Sequence, residues 1–497
     1  MERIILTTGG TGGHVFPALS VAEEVLRRNP RAMILFMGGR YGQEADMAAK
    51  AGLDFVGLPV RGVLGRGGRG FLAAFGMLRG LIRACGIIRK VKPELVIGFG
   101  GYAGFAGVLA ARIAGKPTAI HEQNSYPGMT NRLLGKVVDR VFLSMPDAAG
   151  VFDPRKTVLV GNPVRAAIAE LYEKRRREFA DRDNGGHAEQ PDGDGTKSYY
   201  GGVDGPSPFD ADRRAEAAAP VQAAAEQGGE QAPDSAATAT LPPSTRVKGV
   251  ATPLAGRGAE HRACVPDPTP VTLASSSLPS QRWAGGRNPR LLVMGGSLGA
   301  RAINQTMMRV IGNLLEAGVE IWHQTGPADY DQVRAVYREA GAEHVRVEAF
   351  IADMQRAYAW ADLVLCRAGG SSMAEITAAG LPAVLVPLPW AAQDHQRHNA
   401  RFLESEGGAV VLEQSSFYTE RSGKASEEAR NAGQRAGQPT RQAAGHEEGG
   451  PRLFVRTVLS LLQDRPTLEA MALKSLAAAR PYAARDLVNE LEALIAG

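Results

Sequence analysis

Gly9-Gly10-Thr11-Gly12-Gly13-His14-Val15-Phe16-Pro17 follows the short apolar run Ile4-Ile5-Leu6 and leads into a helical pattern from Ala18 to Arg28. Four glycines in five residues let the backbone come close to a ligand and adopt positive φ. Pro17 suits the first turn of a helix, where its missing N–H is not needed. Strand, glycine loop and helix N-terminus, in that order, hold anions on backbone amides. The loop lacks the spacing of a P-loop and is no clean dinucleotide fingerprint. It reads either as a tight structural turn or as a phosphate or sugar site, to which Thr11 and His14 add polar groups.

Around this loop the pattern alternates. Strand-like runs recur at Ile4–Leu6, Ala32–Met37, Phe55–Val60, Leu95–Phe99, Thr118–His121, Val141–Ser144 and Val158–Val160, with helical patterns between several of them. Such alternation predicts a parallel sheet covered by helices on both faces. From about Glu173 to Asn288 the chain turns to Gly, Ala, Pro, Ser and charged residues. No isoleucine lies between Ile168 and Ile303, and no methionine between Met145 and Met294. That composition buries too little apolar surface to offset its ordering entropy, and predicts a disordered insertion over 173–288. Thr419 to Gly450 is a shorter stretch of the same kind. Strand patterns resume at Leu291–Met294, Glu320–His323, Val345–Ala349, Leu363–Cys366, Ala383–Val386 and Ala409–Leu412, and helical segments follow near 452–463, 467–479 and 485–495. The expected fold is α/β: two doubly wound, Rossmann-like domains over 1–170 and 289–484. A closing helix over 485–497 returns toward the first domain. Ligands of such sheets sit at the carboxyl ends of the strands, here in the cleft between the domains.

At 497 residues the chain accommodates two full cores, and its apolar fraction of 44% is ordinary. A net charge of +5 favours an anionic partner without naming one. Cys85, Cys264 and Cys366 are too far apart for a disulfide framework or a metal motif, which points to a reducing compartment. The apolar run after Arg3 is too short for a signal peptide. The uncharged stretches Leu95–Ala111 and Ile376–Gln393 are broken by glycines and prolines respectively, so neither reads as a membrane span.

Further motifs fall at strand ends. Gly98-Phe99-Gly100-Gly101-Tyr102 is a second glycine loop, on the same face as the first. His121-Glu122-Gln123-Asn124 puts four polar groups at a strand tip. They form either a turn closed by local hydrogen bonds or a site with Glu122 as general base or positioning group and Asn124 on a sugar. Gly161-Asn162-Pro163-Val164-Arg165 ends the first domain, and Arg165 is either a surface charge or a reach across the cleft. Gly295-Gly296-Ser297-Leu298-Gly299-Ala300 joins strand to helix again and could hold a diphosphate. In Cys366 to Glu375, Ser371 and Ser372 are good cap residues. Glu375 fits the first helical turn as a capping-box partner, or alternatively a ribose contact. Gln393-Asp394-His395-Gln396 either caps a helix or faces a sugar.

Between Arg61 and Lys92 lie eight basic residues (Arg61, Arg66, Arg69, Arg79, Arg83, Arg89, Lys90 and Lys92) and no acidic one. Phe71, Leu72, Phe75, Leu78 and Ile82 are interleaved. This stretch reads either as a helix on an anionic membrane surface or as a core-packed helix with a solvated basic face. No aromatic platform or reader motif for nucleic acid accompanies the charges.

Taken together, GGTGGHVFP, GGY, HEQN, GNPVR, GGSLGAR, Ile321 to Gly326 and the run Ala357 to Ile376 resemble the MurG family of bacterial glycosyltransferases, within glycosyltransferase family 28. The resemblance covers about 1–170 and 289–412. It implies the GT-B fold, and inverting transfer of N-acetylglucosamine from UDP-GlcNAc to the MurNAc C4 hydroxyl of undecaprenyl-diphosphate-MurNAc-pentapeptide (lipid I). It places donor contacts at Thr11, Gly12, Gly13, Asn124, Arg165, Ser297, Ile351, Gly370, Ser371, Ser372, Met373, Ala374, Glu375 and Gln396, with Ile351 reading uracil through its backbone. Gly100, Gly101 and Tyr102 fall on the acceptor or diphosphate side, and Phe71, Leu72, Phe75, Leu78, Arg79, Ile82 and Arg83 on a membrane patch. The family works peripherally on the cytoplasmic face of the plasma membrane, so an anionic membrane surface and cell-wall or division machinery are implied partners. No cofactor is implied, and no Asp-x-Asp motif sits where it could present a metal to the diphosphate. Helix N-terminal amides, mainly at Gly296–Gly299, would then hold the leaving charge. His14 and Glu122 are the candidates for the base. His14 is favoured because histidine titrates near neutral pH, with simple hydrogen bonding to diphosphate or acceptor as its rival role. The competing functions are transfer to a diacylglycerol lipid or a soluble compound, and a non-catalytic nucleotide-sugar binding or scaffold protein at the membrane.

Overall fold

Ile4, Ile5 and Leu6 are wholly buried, as a parallel strand covered on both faces requires. The computed structural model describes every residue except 10–11, 41, 43, 61–69, 186–285, 297–298, 392–393, 418–449 and 497, and not the side chains of 70–74 and 182–185. The first sheet contains β1 (Arg3–Thr7), β2 (Met33–Gly39), β3 (Asp54–Leu58), β4 (Leu95–Gly98), β5 (Thr118–Glu122), β6 (Arg140–Leu143) and β7 (Thr157–Leu159). Its order is β3-β2-β1-β4-β5-β6-β7, parallel throughout. Its helices are α1 (Gly12–Arg28), α2 (Glu44–Lys50), α3 (Gly70–Val91), α4 (Gly101–Ile113) and α5 (Met129–Leu134).

Next comes α6 (Ala166–Gly185), and then the second sheet: β8 (Arg290–Met294), β9 (Glu320–Gln324), β10 (Arg346–Glu348), β11 (Leu363–Cys366), β12 (Ala383–Leu385) and β13 (Ala409–Val411). Its order is β10-β9-β8-β11-β12-β13, also parallel. Its helices are α7 (Arg301–Glu316), α8 (Tyr330–Glu339), α9 (Met354–Trp360), α10 (Gly370–Ala378), α11 (His395–Ser405), α12 (Pro451–Gln463) and α13 (Arg465–Ala477), and α14 (Ala483–Ala496) ends the fold. Both sheets belong to one compact unit and are doubly wound, as the alternation predicts. Each reverses strand order once, between β1 and β4 and between β8 and β11, and these switch points are where such sheets bind ligands.

The chain crosses between the domains twice. Ile168, Leu171 and Tyr172 of α6 pack with the second sheet, while Leu487, Val488 and Leu491 of α14 pack with α1 and the first sheet. Arg28 donates to Glu492 at 2.8 Å across that return contact. The two crossings meet at the ring edge contact of Tyr172 and Tyr482, 6.4 Å between centroids.

Two expectations need correction. The polar insertion does not begin at Glu173, because α6 continues to Gly185. From Glu173 to Asp181 no residue of α6 is fully buried. Its exposed faces are held by ion pairs one helical turn apart, Glu173 with Arg176 and Glu178 with Lys174 and Arg175, so composition alone hides it. The remainder of the insertion, and 418–449 of the second polar stretch, lie outside the described residues. Nor is Pro17 in the first turn of its helix: α1 starts at Gly12, which makes Pro17 an internal residue.

Candidate active site

The β1–α1 and β4–α4 connections, at the first switch point, are built against each other. Gly9 N–H donates to Gly100 O at 3.1 Å. Gly101 has φ 76°, and a Cβ there would lie 2.0 Å from Gly9 O, so no larger residue fits. His14, in the first turn of α1, stands over Gly100. Its Nδ1 is 2.9 Å from Gln123 Oε1 at the tip of β5. Gln123 Nε2 in turn contacts His121 Nδ1 at 3.1 Å.

Successive side chains of a strand point to opposite faces, and the polar tip divides accordingly. His121 and Gln123 face His14, whereas Glu122 and Asn124 organise the following loop. Glu122 is 2% exposed, and its carboxylate accepts from Asn124 N–H and Nδ2, Gly128 N–H and Asn131 Nδ2 at 2.9–3.1 Å. Four donors saturate both oxygens. Of its two expected roles, this geometry favours positioning over proton transfer.

On the opposite wall, α7 and α10 start at the second switch point, and neither carries a side-chain cap. α7 begins only at Arg301, so Gly296 and Gly299 precede the helix rather than form its N-terminus, contrary to expectation. Gly299 has φ 79°, and a Cβ there would meet Thr325 O at 2.1 Å. Gln324 Nε2 holds Gly296 O at 2.8 Å. Thr11 and Ser297 lie outside the described residues, as does Gln393. In α10 the N-cap is Gly369, with no role as caps for Ser371 and Ser372, and Glu375 stands beyond the first turn. The capping-box reading of Glu375 therefore fails. Its Oε1 accepts from Arg165 Nε and Nη2 at 3.0 and 2.8 Å, and its Oε2 from Tyr358 O–H at 3.1 Å. Met373 is buried in the core, while Ala374 is half-buried. Ile351 is likewise buried, beside the exposed Phe350. Gln396 Oε1 accepts from Leu388 N–H at 3.1 Å and orders its own loop.

Several contacts join the two walls besides Arg165–Glu375. Asn399 of α11, wholly buried, donates to Asn124 Oδ1 and Ala368 O and accepts from Ser125 N–H, all within 3.0–3.1 Å. The rings of Tyr126 and His398 stack at 5.2 Å. Ser371 O–H donates to Gly13 O at 3.0 Å. Pro17 explains that bond: without an N–H it leaves the carbonyl four residues back free, and the other domain takes it. Asn399, Tyr358 and Gln123 have site positions that the sequence reading did not assign. The strand-tip location of Gln123 was the only available signal.

Of the basic stretch, Gly70–Val91 forms α3, and 61–69 lie outside the described residues. Ala84 and Ile88 face the core, while Phe75, Leu78 and Ile82 are 57%, 54% and 63% exposed on one helix face. Arg79 lies over the Phe75 ring at 5.7 Å, and Arg83 is exposed beside it. The solvated face is thus apolar with basic flanks, unlike the purely basic face of the core-packed reading. Phe71 and Leu72 lie in α3, their side chains undescribed. Met129 and Leu133 of α5 are also about half exposed, at 48% and 50%.

Two histidines support the walls from beneath. His121 gives Nε2 to Gly161 O at 2.9 Å, and burial pushes it down to about 4. His323 contacts Tyr337 O–H and Asn304 Oδ1, and burial pushes it down to about 3. Both are neutral in the fold. The unfolded chain binds their protons near pH 6.5, so stability is full above that value and falls as pH drops toward 4. Between pH 7 and 5 each histidine is expected to remove about 2 kcal/mol. Urea unfolding at the two pH values measures this, and His323→Gln should flatten the dependence of the second domain. An unaltered dependence in that variant would contradict the assignment.

Family models match on both sides of the insertion: the glycosyltransferase family 28 N-terminal domain over residues 4–143 and its C-terminal domain over 290–449. A protein of Nitratidesulfovibrio vulgaris (strain Miyazaki F) is 43% identical over 498 residues, covering 100% of this chain and 98% of its own. Its name is UDP-N-acetylglucosamine--N-acetylmuramyl-(pentapeptide) pyrophosphoryl-undecaprenol N-acetylglucosamine transferase. A protein of the same name from Solidesulfovibrio magneticus is 38% identical, covering 100% and 99%. Among solved structures, Acinetobacter baumannii MurG superposes with a TM-score of 0.58 at 22% identity, covering 99% of each chain. The S. aureus MnaA–UDP structure superposes at 0.51 and 11% identity, covering 99% of this chain and 96% of that one. At these identities the two structures attest the fold.

Proposed function

The chain belongs to glycosyltransferase family 28, and we infer that it transfers N-acetylglucosamine from UDP-GlcNAc to the MurNAc C4 hydroxyl of undecaprenyl-diphosphate-MurNAc-pentapeptide. The observation that supports this reading is the meeting of the two switch points, where Ser371 O–H donates to Gly13 O and Gly370 abuts Gln123, the residue that holds His14. In the mechanism, His14 takes the hydroxyl proton as the C4 oxygen attacks the anomeric carbon from the face opposite UDP. The bond to the β-phosphate oxygen breaks, and amides of the Gly295–Ala300 loop hold the charge that develops on UDP. Glu375 binds ribose and the backbone at Ile351 reads uracil. Arg165, paired with Glu375, is a further donor contact. Glu122 and Asn124 shape the acceptor-side loop. Transfer of radiolabelled GlcNAc to a short-chain lipid I analogue, with diacylglycerol run beside it, tests the assignment. Incorporation into diacylglycerol alone would overturn it.

The protein works at an anionic membrane surface, docking through α3. Among the described residues no helix is long and apolar enough to cross a membrane, whereas Phe75, Leu78 and Ile82 present an apolar face flanked by arginines. Burying one such side chain gives about 1.5–3 kcal/mol at most, and each nearby basic residue adds about 1 kcal/mol. The double variant Leu78→Glu/Ile82→Glu is expected to bind phosphatidylglycerol vesicles more weakly, by a factor on the order of 100 or more, with turnover of a water-soluble acceptor unchanged. Equal co-sedimentation of the variant would refute this docking face.

A further inference from the structure

His14 ends a hydrogen-bonded chain whose donors and acceptors can be assigned one after another. The chain starts at Gly161 O, a carbonyl that can only accept, so the His121 nitrogen 2.9 Å away, Nε2, carries its proton. His121 is wholly buried and has a single N–H when neutral, so its Nδ1 is an acceptor. Gln123 Nε2 lies 3.1 Å from that Nδ1 and 3.2 Å from both Phe99 O and His121 O. Three acceptors around one atom identify it as the amide NH2 and exclude the flipped amide. The atom left facing His14 Nδ1, at 2.9 Å, is therefore Oε1. An amide oxygen only accepts, so His14 Nδ1 carries the proton and Nε2 is the bare lone pair.

We propose that Gln123 and His121 are positioning residues that hold His14 as its Nδ1–H tautomer. The proposal deepens the reading of His14 as the base and rests on it for its catalytic meaning. Histidine free in water favours the opposite tautomer, with the proton on Nε2 and no lone pair there. With the tautomer held, the acceptor hydroxyl gives its proton to Nε2 as its oxygen bonds to the anomeric carbon, and the electron pair of the broken bond leaves with UDP. The imidazolium keeps its Nδ1–H on Gln123 Oε1, so no group in the chain need rotate. A carboxylate at this place would orient the ring and also pair with its charge. The amide orients it without adding charge beside the anionic substrates.

The test uses the whole chain with ring-15N-labelled histidine, and the His14 signals are assigned by their loss in His14→Ala. The expected long-range 1H–15N spectrum shows a protonated Nδ1 and a pyridine-type Nε2. In Gln123→Met the His14 signals should move toward the Nε2–H form. Its kcat should fall about 10- to 100-fold, for loss of the correct tautomer, with KM for UDP-GlcNAc within about threefold. A wild-type spectrum with Nε2 protonated overturns the proposal. A folded Gln123→Met that keeps both the Nδ1–H form and its kcat does so too. Should that variant not fold, the wild-type spectrum alone decides. An Nδ1–H spectrum together with an undiminished kcat in His14→Ala upholds the tautomer and removes the base assignment.

Discussion

His14→Ala is expected to lower kcat by about 10²- to 10⁴-fold, the usual range for a removed general base, while UDP-GlcNAc binds as before. The ring stands on the first-domain wall over Gly100, tethered among the described residues by Gln123. Glu375 and Ile351, the proposed ribose and uracil contacts, belong to the second domain, so truncation of His14 is expected to leave them intact. Alanine is also a better helix former than histidine, so α1 is not weakened. Glu122 gives the contrasting result. Glu122→Gln turns one acceptor oxygen into a donor, facing either Asn124 or the pair Gly128 and Asn131. A buried clash of donors costs about 1–3 kcal/mol or more, and it should show as a lower unfolding midpoint with kcat reduced only modestly. Single-turnover kinetics and isothermal titration with UDP-GlcNAc separate the two outcomes. A His14→Ala enzyme with near-normal kcat would remove His14 from the chemistry.

What could be read from the sequence follows from the range of the interactions involved. Strand spans and glycine loops are local signals. Ile4–Leu6, Leu95–Ile97, Leu291–Met294 and Leu363–Cys366 are continuous apolar runs, and each ends in glycine or a short polar link. Those runs are the four strands of the two switch points, so the cleft could be placed without coordinates. The roles of individual polar groups depend on partners far along the chain. Asn399 pairs with Asn124, 275 positions away, and Arg165 with Glu375, 210 away. No periodicity carries such information. Ser371 looked like a cap because caps are its commonest local use, but the chain caps α10 with Gly369 and spends the hydroxyl on Gly13 O. Glu122 and Gln123 are neighbours of similar size. Only the pleat, which turns one toward the loop and the other toward His14, separates a loop clamp from a ring holder.

The same cross-domain dependence makes one methyl group decisive. Gly370, the first residue of α10, sits on the first domain: a Cβ there would lie 2.2 Å from Gln123 O and 2.9 Å from Gln123 C. These are backbone atoms of a buried strand tip and cannot rotate aside, so Gly370→Ala must open the cleft by roughly 1 Å to reach ordinary contact. Within the second domain the change is harmless, since alanine favours helix over glycine by up to about 1 kcal/mol. The consequence falls on the interface. Arg165–Glu375, Ser371–Gly13 and Asn399–Asn124 are bonds of 2.8–3.1 Å, and a gap of that size breaks them together. Displacing donor from base by about 1 Å is expected to lower kcat/KM on the order of 10²-fold with the unfolding midpoint nearly unchanged. Gly312→Ala is the control: it lies inside α7 with nothing within 4 Å of an added Cβ, and should leave kcat alone while raising stability by about 0.5–1 kcal/mol. If Gly370→Ala and Gly312→Ala turn over alike, the contact of α10 with the β5 tip does not set the geometry of the reaction.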